Sequence, residues 1–326
     1  VTQNRPEQTA DAILKGDIRV AAKLMREIDD GLPRALETLK LLYPHAFQAQ
    51  IWGITGSPGV GKSTLTDALV TKLRKEGKTV GVVAVDPTSP FSGGAILGDR
   101  VRMQRHATDD GVFIRSLATR GHFGGITAST RGVVTVMAAM GKDVVIIETV
   151  GVGQDEVDVV AAADTTLVVT VPGLGDDVQA IKAGILEVGD VFVVNKADRN
   201  GVEATVSQLE AMLAMERDAP RRAGWKPPVV QTIASQGSGL DGLLKAIEGH
   251  RAVLTADSGG LLAQRRHERA RMEVMDILRA RTLHILEERL AADGRLEKMA
   301  EAIIDGRSDP YTASDDLMAG LFKDGR

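Results

Sequence analysis

The chain has 326 residues, a formal net charge of −4, 43% hydrophobic residues and only 3% aromatic ones. That length holds one large α/β domain with helical additions, or two domains, built on an aliphatic core. The mild acidity gives no electrostatic case for nucleic acid, and the absence of cysteine excludes disulfides, Cys-based zinc sites and thiol catalysis.

No apolar run approaches the ~18 residues of a membrane span, and Val1–Glu7 is polar and unlike a secretory signal. A cytoplasmic protein without a membrane partner is the expectation, although the first residue is not Met and a preceding transit segment stays open.

Residues 7–48 read as helices. Gly16-Asp17 stops one helix and starts the next, and Pro33 suits the first turn of a third that runs through Leu42. This stretch reads as a packing or partner surface and is assigned no chemistry. Ile51–Thr55 is a short buried strand. It runs into Gly56-Ser57-Pro58-Gly59-Val60-Gly61-Lys62-Ser63, a complete G-x-x-x-x-G-K-[ST] phosphate-binding loop. Thr64–Lys75 follows as a helix, with Leu65, Leu69 and Leu73 four residues apart. Glycines let the backbone wrap round phosphate oxygens where a Cβ would collide, and the loop N–H groups then converge at the positive end of a helix. Lys62 is placed for the β- and γ-phosphates, the Ser63 hydroxyl for Mg²⁺, and Thr64 opens the helix beside the nucleotide.

Thr79–Val85 is a second strand, ending at Asp86-Pro87-Thr88-Ser89-Pro90. A carboxylate at the carboxyl end of a strand stands where α/β sheets place ligands, although Asp-Pro also initiates turns. Asp99 and Arg100 precede a short helix, Val101–His106, for which Asp99 also suits the N-cap. Val112–Leu117 is a strand and Thr127–Met140 a helix. Asp143–Glu148 is an apolar run ending in a carboxylate, the place of the second acid of the Mg²⁺ site in P-loop NTPases. Glu148-Thr149-Val150-Gly151 gives E-x-x-G where GTPases usually carry D-x-x-G. Gly151 is then the N–H that senses the γ-phosphate, and the longer Glu148 side chain suits a water-mediated hold on Mg²⁺.

Thr165–Val171 is a strand, and Pro172–Asp177 is a loop leading to a helix that contains Lys182. Val191–Val194 runs into Asn195-Lys196-Ala197-Asp198, an N-K-x-D motif. The Asp198 carboxylate accepts two hydrogen bonds from guanine, at N1–H and the 2-amino group. Adenine offers no such pair, and sites built this way discriminate by orders of magnitude. Asn195 and Lys196 buttress the loop and the base. Val229–Ile233 is the last strand, and the loop Ala234-Ser235 behind it suits a base contact, with the Ala234 N–H near guanine O6. A helix runs to His250, Asp257–Gly260 reads as a hinge, and Leu261–Leu290 reads as a long amphipathic helix. That helix either folds onto the domain or forms a dimer arm. The six histidines are scattered without metal-site spacing.

The fold class is α/β, a mostly parallel P-loop sheet flanked by helices. It divides into an N-terminal helical extension (1–48), a P-loop GTPase domain (49–255) and a C-terminal helical dimerisation arm (256–326).

With these motifs in place, residues 10–305 resemble the MeaB/ArgK family of P-loop GTPases, whose human counterpart is the methylmalonic aciduria type A protein. The most specific stretches are the phosphate loop, Asp86–Pro90, Gly94–Arg100, Glu148–Gln154 and Asn195–Asp198. The resemblance implies a GTP/GDP- and Mg²⁺-binding homodimer joined through C-terminal helices. It implies the role of a G-protein chaperone that protects adenosylcobalamin-dependent methylmalonyl-CoA mutase and gates its cofactor loading. It places Ser63, Asp86, Asp99 and Glu148 around Mg²⁺, and makes Pro172–Lys182, with Asp176, Asp177 and Lys182, a switch coupled to the mutase. Two departures stand out. Ile233 precedes Ala234 where the family often has Ser-Ala, and Val152 follows Gly151 where Ras-like GTPases carry a water-orienting Gln. Slow intrinsic hydrolysis follows, with acceleration when the mutase reorders Asp99, Gln154 or Lys182. The rival readings are a chaperone of another cobalamin mutase, a nucleotide-dependent small-molecule kinase, a nickel-insertion GTPase and a scaffold with a vestigial site.

Overall fold

A computed structural model describes residues 5–86, 103–106, 108–118, 128–149, 162–173, 186–187, 189–215 and 224–323. The chain divides into two compact units, Val1–Arg269 and Ala270–Arg326.

The first unit begins with three helices, α1 (Pro6–Leu14), α2 (Ile18–Asp29) and α3 (Pro33–Leu42). Gly16 takes a positive φ of 86° at the first break, and Asp17 caps α2 by accepting the N–H groups of Arg19 and Val20 at 2.9 and 3.0 Å. Seven strands then alternate with helices. They are β1 (Gln50–Thr55), β2 (Val80–Asp86), β3 (Val112–Ala118), β4 (Val144–Thr149), β5 (Thr165–Thr170), β6 (Val191–Asn195) and β7 (Val229–Thr232). Helix α4 (Lys62–Lys75) follows β1, α5 (Ala128–Ala139) precedes β4, and α6 (Val202–Met215) lies between β6 and β7, where the sequence reading names no helix. The sheet order is β3-β2-β4-β1-β5-β6-β7, and every strand pairing among the described residues is parallel.

The strands read as continuous apolar runs because helices cover both sheet faces. On one face Trp52, Ile54, Val82, Ile146 and Val193 pack with Leu65, Leu69 and Leu73 of α4. On the other, Ile51, Val83, Val145 and Ile147 pack with Ile13, Leu24, Met25 and Leu42 of the N-terminal helices and Met137 of α5. Each such aliphatic side chain contributes about 1.5–3 kcal/mol by leaving water.

At the amino ends of three strands one device repeats. Asp143, Asp164 and Asp190 each stand immediately before a strand, β4, β5 and β6. The N–H of each donates to the carbonyl of one residue on the neighbouring chain segment: Thr79 (3.0 Å), Ile51 (2.7 Å) and Thr166 (2.9 Å). The carboxylate of each accepts the N–H of that same residue, at 2.7, 3.1 and 2.8 Å. Such reciprocal pairs satisfy amides that a parallel ladder leaves open at its start, and they lock the register of β4 on β2, β5 on β1 and β6 on β5.

Helix α7 runs from Leu240 to Asp293 without interruption. The expected hinge at Asp257–Gly260 is therefore helical. Two glycines in a helix cost about 1 kcal/mol each relative to alanine. Contacts beyond them hold this part of the helix: Arg265 and Arg269, one turn apart, bind Asp190 and Asp164. In the second unit α7 ends at Gly294 and is followed by α8 (Arg295–Ile304) and α9 (Pro310–Lys323). Asp309 caps α9 through the N–H groups of Tyr311 and Thr312 and the Thr312 hydroxyl, which together hold its carboxyl below the usual range. Met272, Val274, Leu278, Leu283 and Ile285 of α7 are exposed. No helix of the described residues is long and apolar enough to cross a membrane.

Candidate nucleotide site

The site forms where β1, β4, β5 and β6 end. Residues 56–61 join the end of β1 to α4, whose N-cap is Gly61. Two of its glycines have no substitute. Gly56 has a φ of 137°, and a Cβ there would lie 2.1 Å from the Val169 carbonyl of β5. Gly61 has a φ of 95°, and a Cβ would lie 2.6 Å from Asn195 Nδ2. The loop is thus pressed against two neighbouring strand ends, and only the bare backbone fits.

Within it the Lys62 side chain is buried and its ammonium donates to the carbonyls of Gly56 (2.6 Å) and Ser57 (3.1 Å). The Ser63 hydroxyl donates to Glu148 Oε1 at 2.5 Å, bridging the start of α4 and the end of β4. Glu148 is fully buried at the register position opposite Ile54. A hydroxyl and a carboxylate converging at a helix N-terminus are hard oxygen donors of the kind Mg²⁺ takes. Lys62 and Ser63 are helical themselves, so α4 begins two residues before the predicted Thr64.

The N-K-x-D turn closes the other side. Asn195 is almost fully buried. Its Nδ2 donates to the Val60 carbonyl at 2.9 Å, while its Oδ1 accepts the Thr232 hydroxyl (3.2 Å) and the Ala234 N–H (3.1 Å). One carboxamide therefore joins the phosphate loop, β6 and the loop after β7. Lys196 has a positive φ of 56°, and its ammonium donates to the Gly59 carbonyl at 2.7 Å. Asp198 is exposed beyond this turn. The Ala234 N–H, read from the sequence as a guanine O6 donor, is engaged by Asn195 in this structure, and Ser235 follows it in a short 3₁₀ turn.

The structure brings Gly56–Ser63, Glu148, Asn195, Lys196, Asp198, Ala234 and Ser235 to one edge of the sheet. Asp86 ends β2 two residues past Ala84, which pairs with Glu148, but its side chain lies outside the described residues. Asp99, Gly151, Gln154, Asp176, Asp177 and Lys182 also lie outside them. The sequence reading missed Thr232, whose hydroxyl supports Asn195. Its signal was weak, one of two polar residues, Gln231 and Thr232, in the short Val229–Ile233 run.

The family described as Methylmalonyl Co-A mutase-associated GTPase MeaB matches residues 22–291. The chain belongs to the MeaB family. Like its relatives it is a GTP hydrolase, a P-loop enzyme that takes guanine nucleotide. A Pyrococcus abyssi relative named as a GTPase is 46% identical over 98% of both chains. GTPase ArgK of Escherichia coli is 37% identical over 78% of each chain. The mitochondrial methylmalonic aciduria type A homologue of Caenorhabditis elegans is 31% identical over 83% of this chain and 68% of its own. Among solved structures, one titled as a LAO/AO transport system kinase superposes with a TM-score of 0.72 at 25% identity, covering 98% of this chain and 99% of that one.

Proposed function

We propose that this MeaB-family GTPase is the Mg²⁺-dependent chaperone of an adenosylcobalamin-dependent methylmalonyl-CoA mutase. It acts in the cytoplasm as a homodimer joined through the helical arm 256–326, and it protects the mutase and gates its cofactor loading. The observation that carries the reading is the Ser63–Glu148 pair, 2.5 Å apart beside the phosphate loop of a chain in this family. Ser63 and Glu148, with Asp86 and Asp99, would hold Mg²⁺, which supplies positive charge to the phosphate oxygens during in-line attack by water.

The remaining roles belong to the chain's own groups. Lys62 exchanges the Gly56 and Ser57 carbonyls for β- and γ-phosphate oxygens, and the N–H groups of Gly59 to Thr64 face the same charge. Gly151 reads the γ-phosphate, and reordering of Asp99, Gln154 or Lys182 by the mutase accelerates hydrolysis. Asp198 accepts from guanine, Lys196 flanks the base and Ala234-Ser235 closes its O6 edge. Asp176, Asp177 and Lys182 couple the site to the mutase.

GTP turnover of the purified protein, alone and with a methylmalonyl-CoA mutase, tests this. Stimulation of roughly tenfold, about 1.4 kcal/mol off the barrier, that is lost in Lys182→Ala is the expected result. Equal rates with and without the mutase would move the search to another cobalamin mutase.

A further inference from the structure

We propose that Asp190 is a positioning residue for guanine recognition: it fixes where β6 ends, and with it the Asn195–Asp198 turn. The inference rests on the reading of Asp198 as the guanine acceptor.

Three elements converge on this one residue. Its N–H and carboxylate form the reciprocal pair with Thr166 on β5. Its carboxylate receives both terminal nitrogens of Arg265 on α7, at 3.2 and 3.0 Å, and lies 3.3 Å from His250 Nε2. Its carbonyl accepts the Trp225 indole N–H at 2.8 Å. Asp190 is 3% exposed and His250 fully buried, so these bonds form away from water, where a planar two-point Arg–carboxylate pair is strongest. The partners lie 24 to 75 residues away, so Asp190 pins the start of β6 to separate parts of the unit.

From Asp190 to Asn195 is five residues of extended chain, about 16 Å at the usual rise. A strand does not stretch, so an anchor at its start sets the position of its end. The far end has no slack. Asn195 Nδ2 sits 2.9 Å from the Val60 carbonyl, and the space above Gly61 cannot take even a methyl group without meeting it. A slip of β6 along its axis would drive Asn195 into the phosphate loop or draw it away, and Asp198 would move with it. The other two aspartate locks serve different strands: Asp143 stands under β4, which carries Glu148 one residue before its end, and Asp164 under β5, which ends beside Gly56.

The test measures the Kd of the full-length protein for a fluorescent GDP analogue, the same analogue of ADP, and KM and kcat for GTP. All are read well below the melting temperature, in Asp190→Asn, Arg265→Lys, Asp143→Asn and Asp198→Ala. In Asp190→Asn the expected result is a GDP Kd and GTP KM raised at least fivefold with kcat within twofold. Arg265→Lys keeps the charge and loses the planar fork, and it should raise Kd at least twofold. Asp143→Asn, the same lock under a strand without a base-contacting residue, should leave the GDP Kd within twofold. A folded Asp190→Asn with wild-type Kd overturns the proposal. If that variant does not fold, wild-type Kd in Arg265→Lys overturns it. An equal rise in Asp143→Asn and Asp190→Asn also overturns it, because it marks general loosening of the sheet. Asp198→Ala reports separately on the underlying reading: loss of the preference for GDP over ADP upholds it, and an unchanged preference refutes it whatever Asp190 does.

Discussion

The two ends of the parallel sheet use the same residue types for opposite purposes. At the amino ends Asp143, Asp164 and Asp190 spend their carboxylates on backbone amides, and the two buried ones also on α7 arginines. At the carboxyl ends Lys62, Ser63, Glu148 and Lys196 bond to one another or to loop carbonyls, around a loop whose glycines leave room for phosphate. Groups at the amino ends hold neighbouring segments together, whereas those at the carboxyl ends are held ready to change partners. Substitutions should therefore divide by end, with stability lost at one and turnover at the other.

The largest separation is expected from Lys62→Ala. It removes the ammonium that meets the phosphates, and GTP turnover should fall a hundredfold or more. Its burial in the absence of nucleotide is a cost, so the melting temperature should hold or rise. A steady-state assay and a thermal scan on one preparation check both halves, and a large loss of stability would break the comparison.

Asp164→Ala should do the reverse. It frees the Ile51 N–H and strips Arg269 of its 2.6 Å partner. Removing one member of a fully buried pair costs about 3 kcal/mol or more, and this pair, with Arg269 partly exposed, should cost less. Urea unfolding should show that loss as a lower midpoint, while kcat of the folded enzyme stays within a few-fold.

The smallest effect belongs to Asp143, the exposed member of the three. The Thr79 N–H, aided by the Thr79 hydroxyl, holds its carboxyl below the ordinary carboxylate range. A depressed folded-state pKa contributes stability above the ordinary value of about 3.9, and that contribution is lost as pH falls through the lower folded value. Asp143→Asn should flatten the acid limb of stability against pH in that window and lower neutral stability by the same small amount. A steeper acid limb would contradict the lock.

The site was far more legible than the frame that holds it. The phosphate loop and N-K-x-D are contiguous, and each residue type answers a local demand: positive φ at Gly56 and Gly61, a donor at Lys62, a hydroxyl at Ser63. Strands were legible as apolar runs because both sheet faces are covered. Asn195 was recognisable as a buttress of the loop and the base, but the groups it bonds were not. Its partners Val60, Thr232 and Ala234 are 135, 37 and 39 residues away. The hinge expectation at Asp257–Gly260 failed for a related reason. Glycine pairs are weak helix breakers, and the contacts that outweigh them, Arg265 to Asp190 and Arg269 to Asp164, span 75 and 105 residues. An aspartate stands before each of β4, β5 and β6, but its meaning lies in the neighbouring strand.

By itself the sequence determined the order of the strands, the phosphate loop, the guanine motif and hence the class of ligand. Those depend on φ, side-chain chemistry and spacing within a few residues. Tertiary structure alone decided that Ser63 meets Glu148, that one carboxamide joins the phosphate loop to the end of β7 and the loop behind it, and that α7 runs unbroken and grips the starts of β5 and β6. Each of these contacts joins residues far apart in the chain, and their meeting is set by the packing of the whole sheet.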